Sequence, residues 1–320
     1  MELAAIGEHP VNPHPVGLFC PGCTQPALGQ YPASTHQSPV TGQRYHLYHC
    51  PSCDLDFWWP RQLSPEIYRS AALSQYEGYH QGTRPFPPWA RLFFDLIPTH
   101  SGKLLDVGCG DGAFLARAAT SGFEIHGIDF DSNSIRIARE KHGLQNVVDQ
   151  PLDLYLESVR RSHTYFDVVC FFEVLEHQAE PSEFLEAILG VLVPAGWIAG
   201  SVPNRNRFLA KLDRRFGAGD LPPHHFFWFS ARALNNLLTR KGFCDIRILP
   251  SGNIGFQELL TKLVHLAQSR LGPFAARWPR ISKAISHIAL WPVAVFLWLG
   301  LTWRPAHLYF QARLGSNDGP

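Results

Sequence analysis

The sequence predicts an α/β fold: a mostly parallel sheet covered by helices on both faces, with a small cysteine-bracketed unit ahead of it and an apolar helical insertion before the last strand. Three observations carry this prediction. From Lys103 onward, short apolar runs of strand length alternate with amphipathic stretches of helix length. The first apolar run ends in a glycine-rich turn, Gly108-Cys109-Gly110-Asp111-Gly112. Upstream, two C-x-x-C pairs stand at Cys20/Cys23 and Cys50/Cys53.

Taken in order, residues 1–19 read as a flexible tail, with Pro10, Pro13, Pro15 and Gly17 breaking any periodicity. Residues 20–60 form the cysteine unit. Residues 61–102 are a linker with N-terminal helices, Trp89–Ile97 showing helical apolar spacing. The core, 103–254, carries strands at Lys103–Val107, Glu124–Asp129, Asn146–Val148, Phe166–Phe172, Trp197–Val202 and Cys244–Leu249. Helices are expected at Ala113–Ala119, Ser132–His142, Pro181–Val191 and Ser230–Lys241, the last capped by Ser230. Residues 255–305 are the insertion, and 306–320 a final strand, His307–Leu314, with a tail.

Ala284 to Trp303 holds no Asp, Glu, Lys or Arg, which is long enough to span a bilayer. The strands before and after it belong to one sheet, so a single crossing would split the sheet across the membrane. The segment is expected to lie in the interface, to form a re-entrant hairpin broken at Pro292, or to cover the protein's own face. Residues 255–305 contain six Lys or Arg and one acid, Glu258, a bias that suits an anionic membrane surface.

Composition bounds the function. With 320 residues, 45% hydrophobic and 17% charged, the chain supports a large core. A net charge of +1 gives no electrostatic case for nucleic acid, and none is expected as a partner. Seven cysteines, four of them in knuckle spacing, point to a metal in a reducing compartment. No basic stretch precedes an apolar one at the N-terminus, so a cytoplasmic location is expected, peripheral at the inner face of the membrane through 255–305.

The glycine turn lets backbone approach a ligand closely, and the helix after it offers free N–H groups. Asp106, one residue before the end of the first strand, is a candidate cofactor-binding residue. Asp129 closes the second strand, where a carboxylate can accept ribose hydroxyls. With Ala113 the turn also fits the dinucleotide pattern G-x-G-x-x-[GA], so a nicotinamide (NAD(P)) oxidoreductase and a non-catalytic binding module both stay open.

The run Leu104-Leu105-Asp106-Val107-Gly108-Cys109-Gly110-Asp111-Gly112, then Gly127-Ile128-Asp129, resembles the first two motifs of class I S-adenosylmethionine-dependent methyltransferases. Phe166–Val169 followed by Glu173-Val174-Leu175-Glu176-His177 is similar to that family's fourth strand and its exit. The resemblance implies a Rossmann-like seven-stranded sheet whose last strand is antiparallel. It also implies S-adenosylmethionine as cofactor, with Gly108 and Gly110 near its methionine part, Asp129 on the ribose, and Gln150, Pro151 and Leu152 near the adenine. Glu173 would touch the cofactor, and Tyr76 and Tyr79 would close over it.

Glu173, Glu176 and His177 share one face if a helical turn follows the fourth strand. With His225 they make an oxygen-rich set for magnesium or another divalent cation. Without metal, His177 or His225 is the general base, beside Glu176. The combination resembles quinone-biosynthesis O-methyltransferases and small-RNA ribose 2′-O-methyltransferases, in which a metal helps present a hydroxyl to the methyl group. The four thiols Cys20, Cys23, Cys50 and Cys53 have the spacing of a structural zinc site. That unit resembles the zinc-ribbon head of some bacterial methyltransferases acting on sugars and other secondary metabolites. The function expected is therefore methyl transfer to an oxygen of a small molecule: a sugar, a glycan or a lipid-linked acceptor.

Overall fold

The structure, a computed structural model, describes residues 18–26, 32–62, 81–82, 86–207, 210, 220–252, 256–301 and 305–315. The expected tail up to residue 17, Tyr76 and Tyr79, and residues 302–304 lie outside these.

Elements follow in chain order: β1 (Ser34–Gln37), β2 (Arg44–Cys50), β3 (Leu55–Trp59), α1 (Pro88–Leu96), β4 (Gly102–Val107), α2 (Ala113–Thr120), β5 (Phe123–Asp129), α3 (Ser132–His142), β6 (Val147–Asp149), α4 (Leu152–Arg161), β7 (Phe166–Phe172), α5 (Pro181–Leu189), β8 (Leu192–Pro203), β9 (Phe227–Trp228), α6 (Ala231–Arg240), β10 (Phe243–Ser251), α7 (Phe256–Arg277), α8 (Pro279–Leu301) and β11 (His307–Leu314). The larger sheet has seven strands in the order β10-β11-β8-β7-β4-β5-β6. Strand β11 runs antiparallel to both neighbours, and the pairs from β8 to β6 are parallel. The architecture is thus the expected one, seven strands with the last antiparallel.

The sheet is buried on both faces, which explains the near-continuous apolar run of β7. Phe166, Val169 and Phe171 point to one core with Leu105, Val107 and Phe310. Val168, Cys170 and Phe172 point to the other with Phe93, Phe114 and Tyr309. Helix α3 starts on Asp131, whose carboxylate accepts from the N–H groups of Asn133 and Ser134, and ends on left-handed Gly143. Ser230 caps α6 by accepting from Ala233 N at 3.1 Å. Helix α4 was not among the expected elements, although Tyr155, Leu156 and Val159 bury at helical spacing.

The second sheet has four strands, β1-β2-β3-β9. Three come from the cysteine unit and the fourth from the loop before α6, so the unit is not free-standing. Its Tyr48, Phe57 and Trp58 bury in the same core as β4, β7 and β8. Arg205, just after β8, clamps the junction: it donates to Asp54 Oδ1 at 2.7 Å and Asp56 Oδ1 at 3.2 Å. Burial pushes the Asp54 carboxyl up, but Arg205 and Ser230 outweigh it and hold the group below the usual range.

Candidate functional site: a glycine turn beside a cluster of imidazoles

Strand β4 pairs with β5 on one side and β7 on the other, so the chain direction of assembly reverses there. In such sheets ligands bind outside the carboxyl ends of the strands at that switch point. The glycine turn occupies it. Gly108, Gly110 and Gly112 have φ of 76°, 52° and 76°, a region where only glycine sits without strain. A Cβ at Gly108 would also stand 2.6 Å from Val174 Cγ2, so the missing side chain lets the turn lie against the exit of β7.

Asp129 is held by the turn it faces. Its Oδ2 accepts from Gly110 N and its Oδ1 from Asp131 N, both at 2.9 Å. Burial raises its pKa to about 6 despite these bonds. Asp106 is buried, its Oδ1 has no hydrogen-bond partner among the described residues, and desolvation with the charge of Asp129 holds its carboxyl well above the usual range. Gln150 and Leu152 are half-buried at the end of β6 and the start of α4, beyond β5 in the sheet.

The exit of β7 is strained at Glu173, a non-glycine residue at φ 56°. A single 3-10 turn, Leu175–His177, follows. The sequence suggested one face for Glu173, Glu176 and His177, together with His225, as metal ligands. The structure gathers a different set: His177, His224 and His225, whose ligand atoms all lie within 4.8 Å of one another. Their ring centroids form a near-equilateral triangle of 4.6, 4.7 and 4.7 Å. Glu173 turns away because its carboxylate accepts from Ser201 Oγ at 2.5 Å and faces His307 Nε2 at 3.4 Å. Glu176 stays close, Oε1 lying 3.9 Å from His177 Nε2. It is fully buried, neither carboxylate oxygen has a hydrogen-bond partner among the described residues, and burial and then Glu173 push its pKa well up.

Backbone contacts assemble the triangle. His177 Nδ1–H donates to the His224 carbonyl at 2.6 Å, and the ring also bonds the backbone of Glu173, contacts that fix its orientation. Phe226 N donates to the Glu176 carbonyl, and Trp58 N to the Phe226 carbonyl, both at 2.9 Å. His225 Nδ1 meets Asp220 Oδ1 at 3.3 Å, and Asp220 pairs with Arg207 at 2.8 Å, the carboxylate support common behind metal-binding imidazoles. Burial lowers the pKa of His177 to about 3 and drives His224 lower still. Sequence reading missed His224, Asp220 and Arg207. The His224-His225 doublet was the available signal.

The four cysteines form a second cluster. All are buried, with Sγ–Sγ distances of 3.5 Å for Cys20–Cys53 and for Cys23–Cys50. Donation from Cys20 lowers the Cys53 pKa to about 5, and Cys20 rises correspondingly.

Comparison with known proteins fits this geometry. A model of the family described as "Methyltransferase domain" matches residues 80–247. The chain belongs to that family and is a class I S-adenosylmethionine-dependent methyltransferase by fold, which decides between the two cofactors that the glycine turn alone admits. It is 38% identical over 109 residues to a ubiquinone biosynthesis O-methyltransferase of Bordetella bronchiseptica, covering 33% of this chain and 45% of that one. A namesake from Paracidovorax citrulli is 32% identical over 133 residues, covering 40% and 56%. The chain thus spans about half the length of the curated relatives it matches. Among solved structures, a Haemonchus contortus phosphoethanolamine N-methyltransferase bound to S-adenosylhomocysteine aligns with TM-score 0.51 and 14% identity, over 89% of this chain and 71% of that one. A mycolic acid cyclopropane synthase aligns with TM-score 0.50 and 14% identity, over 78% and 99%. At these identities the likeness is one of fold.

Proposed function

We propose that the chain is a cytoplasmic enzyme that transfers the methyl group of S-adenosylmethionine to a hydroxyl oxygen of a small molecule, activated at a metal held by His177, His224 and His225. The observation that supports this reading is the close approach of the glycine turn to Val174 at the exit of β7, the segment that leads directly into the cluster of three imidazoles. Bound S-adenosylmethionine supplies an electrophilic methyl group on a sulfonium. Gly108 and Gly110 bring backbone to its methionine part. Asp129, pre-positioned by Gly110 and Asp131, accepts from the ribose, while Gln150 and Leu152 border the adenine.

The donor set fits a cation. Three imidazoles suit zinc, iron or another transition ion better than magnesium, which revises the oxygen-rich expectation. Glu176 supplies a buried carboxylate whose oxygens have no hydrogen-bond partner among the described residues, an arrangement a nearby cation stabilises. Such an ion supplies Lewis acidity toward a hydroxyl. A pKa of about 3 makes His177 a poor base and a competent ligand. The cysteine cluster takes zinc in this reading: at a Zn–S bond of about 2.3 Å a tetrahedron has edges of about 3.8 Å, near the observed sulfur spacings.

The names of the relatives favour a phenolic hydroxyl, as in quinone precursors, ahead of sugar, glycan or lipid-linked hydroxyls. A methyl-transfer assay over these four classes tests it, with S-adenosylhomocysteine binding measured in parallel. Full activity after exhaustive chelation of the imidazole metal would sink the metal reading. Transfer confined to nitrogen acceptors would sink the oxygen reading.

A further inference from the structure

Helix α8 is inside out. Toward α7 it presents Ser282, Ser286 and Ala294. Gln268 of α7 binds both serines, accepting from Ser282 Oγ at 2.9 Å and donating to Ser286 Oγ at 3.0 Å. Leu260, Val264 and Ala294 close the remainder of that small contact. The outer face carries Ile281, Ile285, Ile288, Trp291, Val293 and Phe296, all exposed, Ile288 and Phe296 at 76% and 78%. Ile281, Ile285, Ile288, Pro292 and Phe296 follow at steps of three or four residues, which makes one stripe along the helix. Helix α8 continues through Pro292 rather than breaking there. A helix that turns its serines inward and its isoleucines outward is built for surroundings less polar than water.

Charge selects the occupant. Arg277, Arg280 and Lys283 are exposed where α7 passes into α8, and the insertion holds one acid, Glu258. A second copy of the chain would bring uncompensated cations to the contact, whereas anionic headgroups neutralise them. A transverse span is excluded by the sheet. Strands β10 and β11 pair side by side and Ala306 N donates to the Gly252 carbonyl at 2.8 Å, so both ends of the hairpin leave one edge of the protein. Insertion of the hairpin end-on would drag Arg277, Arg280 and Lys283 through hydrocarbon.

We propose that α8 is an interfacial anchor: it lies along an anionic membrane, its apolar stripe in the headgroup–acyl boundary and its basic start on the phosphates. Anchoring of this kind does not depend on which methyl acceptor the chain uses.

The test is flotation of the full chain with phosphatidylcholine vesicles containing or lacking phosphatidylglycerol, at physiological salt. The chain is expected to float with the anionic vesicles and at least tenfold less with the neutral ones. Its tryptophan emission should shift to the blue on binding. The variant Ile285→Asp/Ile288→Asp/Phe296→Asp should lose flotation at least tenfold while binding S-adenosylhomocysteine as the native chain does. Replacing Arg277, Arg280 and Lys283 by Gln should abolish the preference for anionic lipid. Absence of flotation by the native chain overturns the proposal. So does a sedimenting dimer, without lipid binding, that the Asp variant splits, because the stripe then belongs to a second copy.

Discussion

The two donor clusters of this chain are built in opposite ways. The thiols come in pairs from two local knuckles, and all four sulfurs are buried facing one another. The imidazoles come from two loops 47 residues apart, held in place by a ring–carbonyl bond and a strand-like backbone contact. A closed sulfur site suits a structural ion, whereas an imidazole site beside a ligand crevice leaves room for a reacting group. On the proposed reading the first cluster maintains a fold and the second works within it, so each should be open to disturbance without the other.

The largest effect expected is on the thiol side. Cys53→Ser should lower the melting temperature by roughly 10 °C, a loss of several kcal/mol, and release one equivalent of zinc. The effect should stay below that of a free-standing zinc finger, because Tyr48, Phe57 and Trp58 share the main core. Calorimetry with metal analysis measures it. His225→Gln should do the reverse: turnover falls about 100-fold, roughly 2.7 kcal/mol, with melting shifted by only a few degrees. A loss of both in either variant would show that the clusters are one unit.

Arg205→Ala sharpens the boundary between them. It strands Asp54 and Asp56 at the junction of the sheets and should cost about 2 kcal/mol in denaturant unfolding. Because Arg205 holds the Asp54 pKa down, the native pairing contributes stability above the ordinary carboxyl range and loses it as pH falls; the variant should lose less on acidification. The smallest effect concerns Asp129. Below about pH 6 it takes up a proton and becomes a weaker acceptor, so S-adenosylhomocysteine affinity should fall by at most tenfold per pH unit, about 1.4 kcal/mol. The empty fold behaves oppositely: a raised carboxyl pKa contributes stability at low pH that is lost as pH rises through about 6. Asp129→Asn should flatten both trends in titration calorimetry.

Legibility in the sequence follows the same division. Strands buried on both faces, such as β7, announce themselves as apolar runs, and the knuckles by spacing. Gly108 and Asp129 were readable because strand, turn and strand are adjacent in sequence. The imidazole triangle was only half readable. His177 and His225 could be paired, but the choice of His224 over Glu173 depends on Ser201 and His307, which reach Glu173 from β8 and β11. Likewise no local pattern at Phe227-Trp228 says that two residues will complete a sheet begun at Ser34. Contacts of that range are decided by topology, after the strands are in place.

The hydrogen bond between Ala306 and Gly252 carries one more consequence. To the sheet, everything from residue 253 to 305 is a hairpin connection whose two ends are already joined. Closure entropy grows only with the logarithm of length, about 0.6 kcal/mol for each doubling. The sheet therefore hardly registers how long that connection is, and the segment can be lengthened or shortened there at little cost to the pairing of β10 with β11.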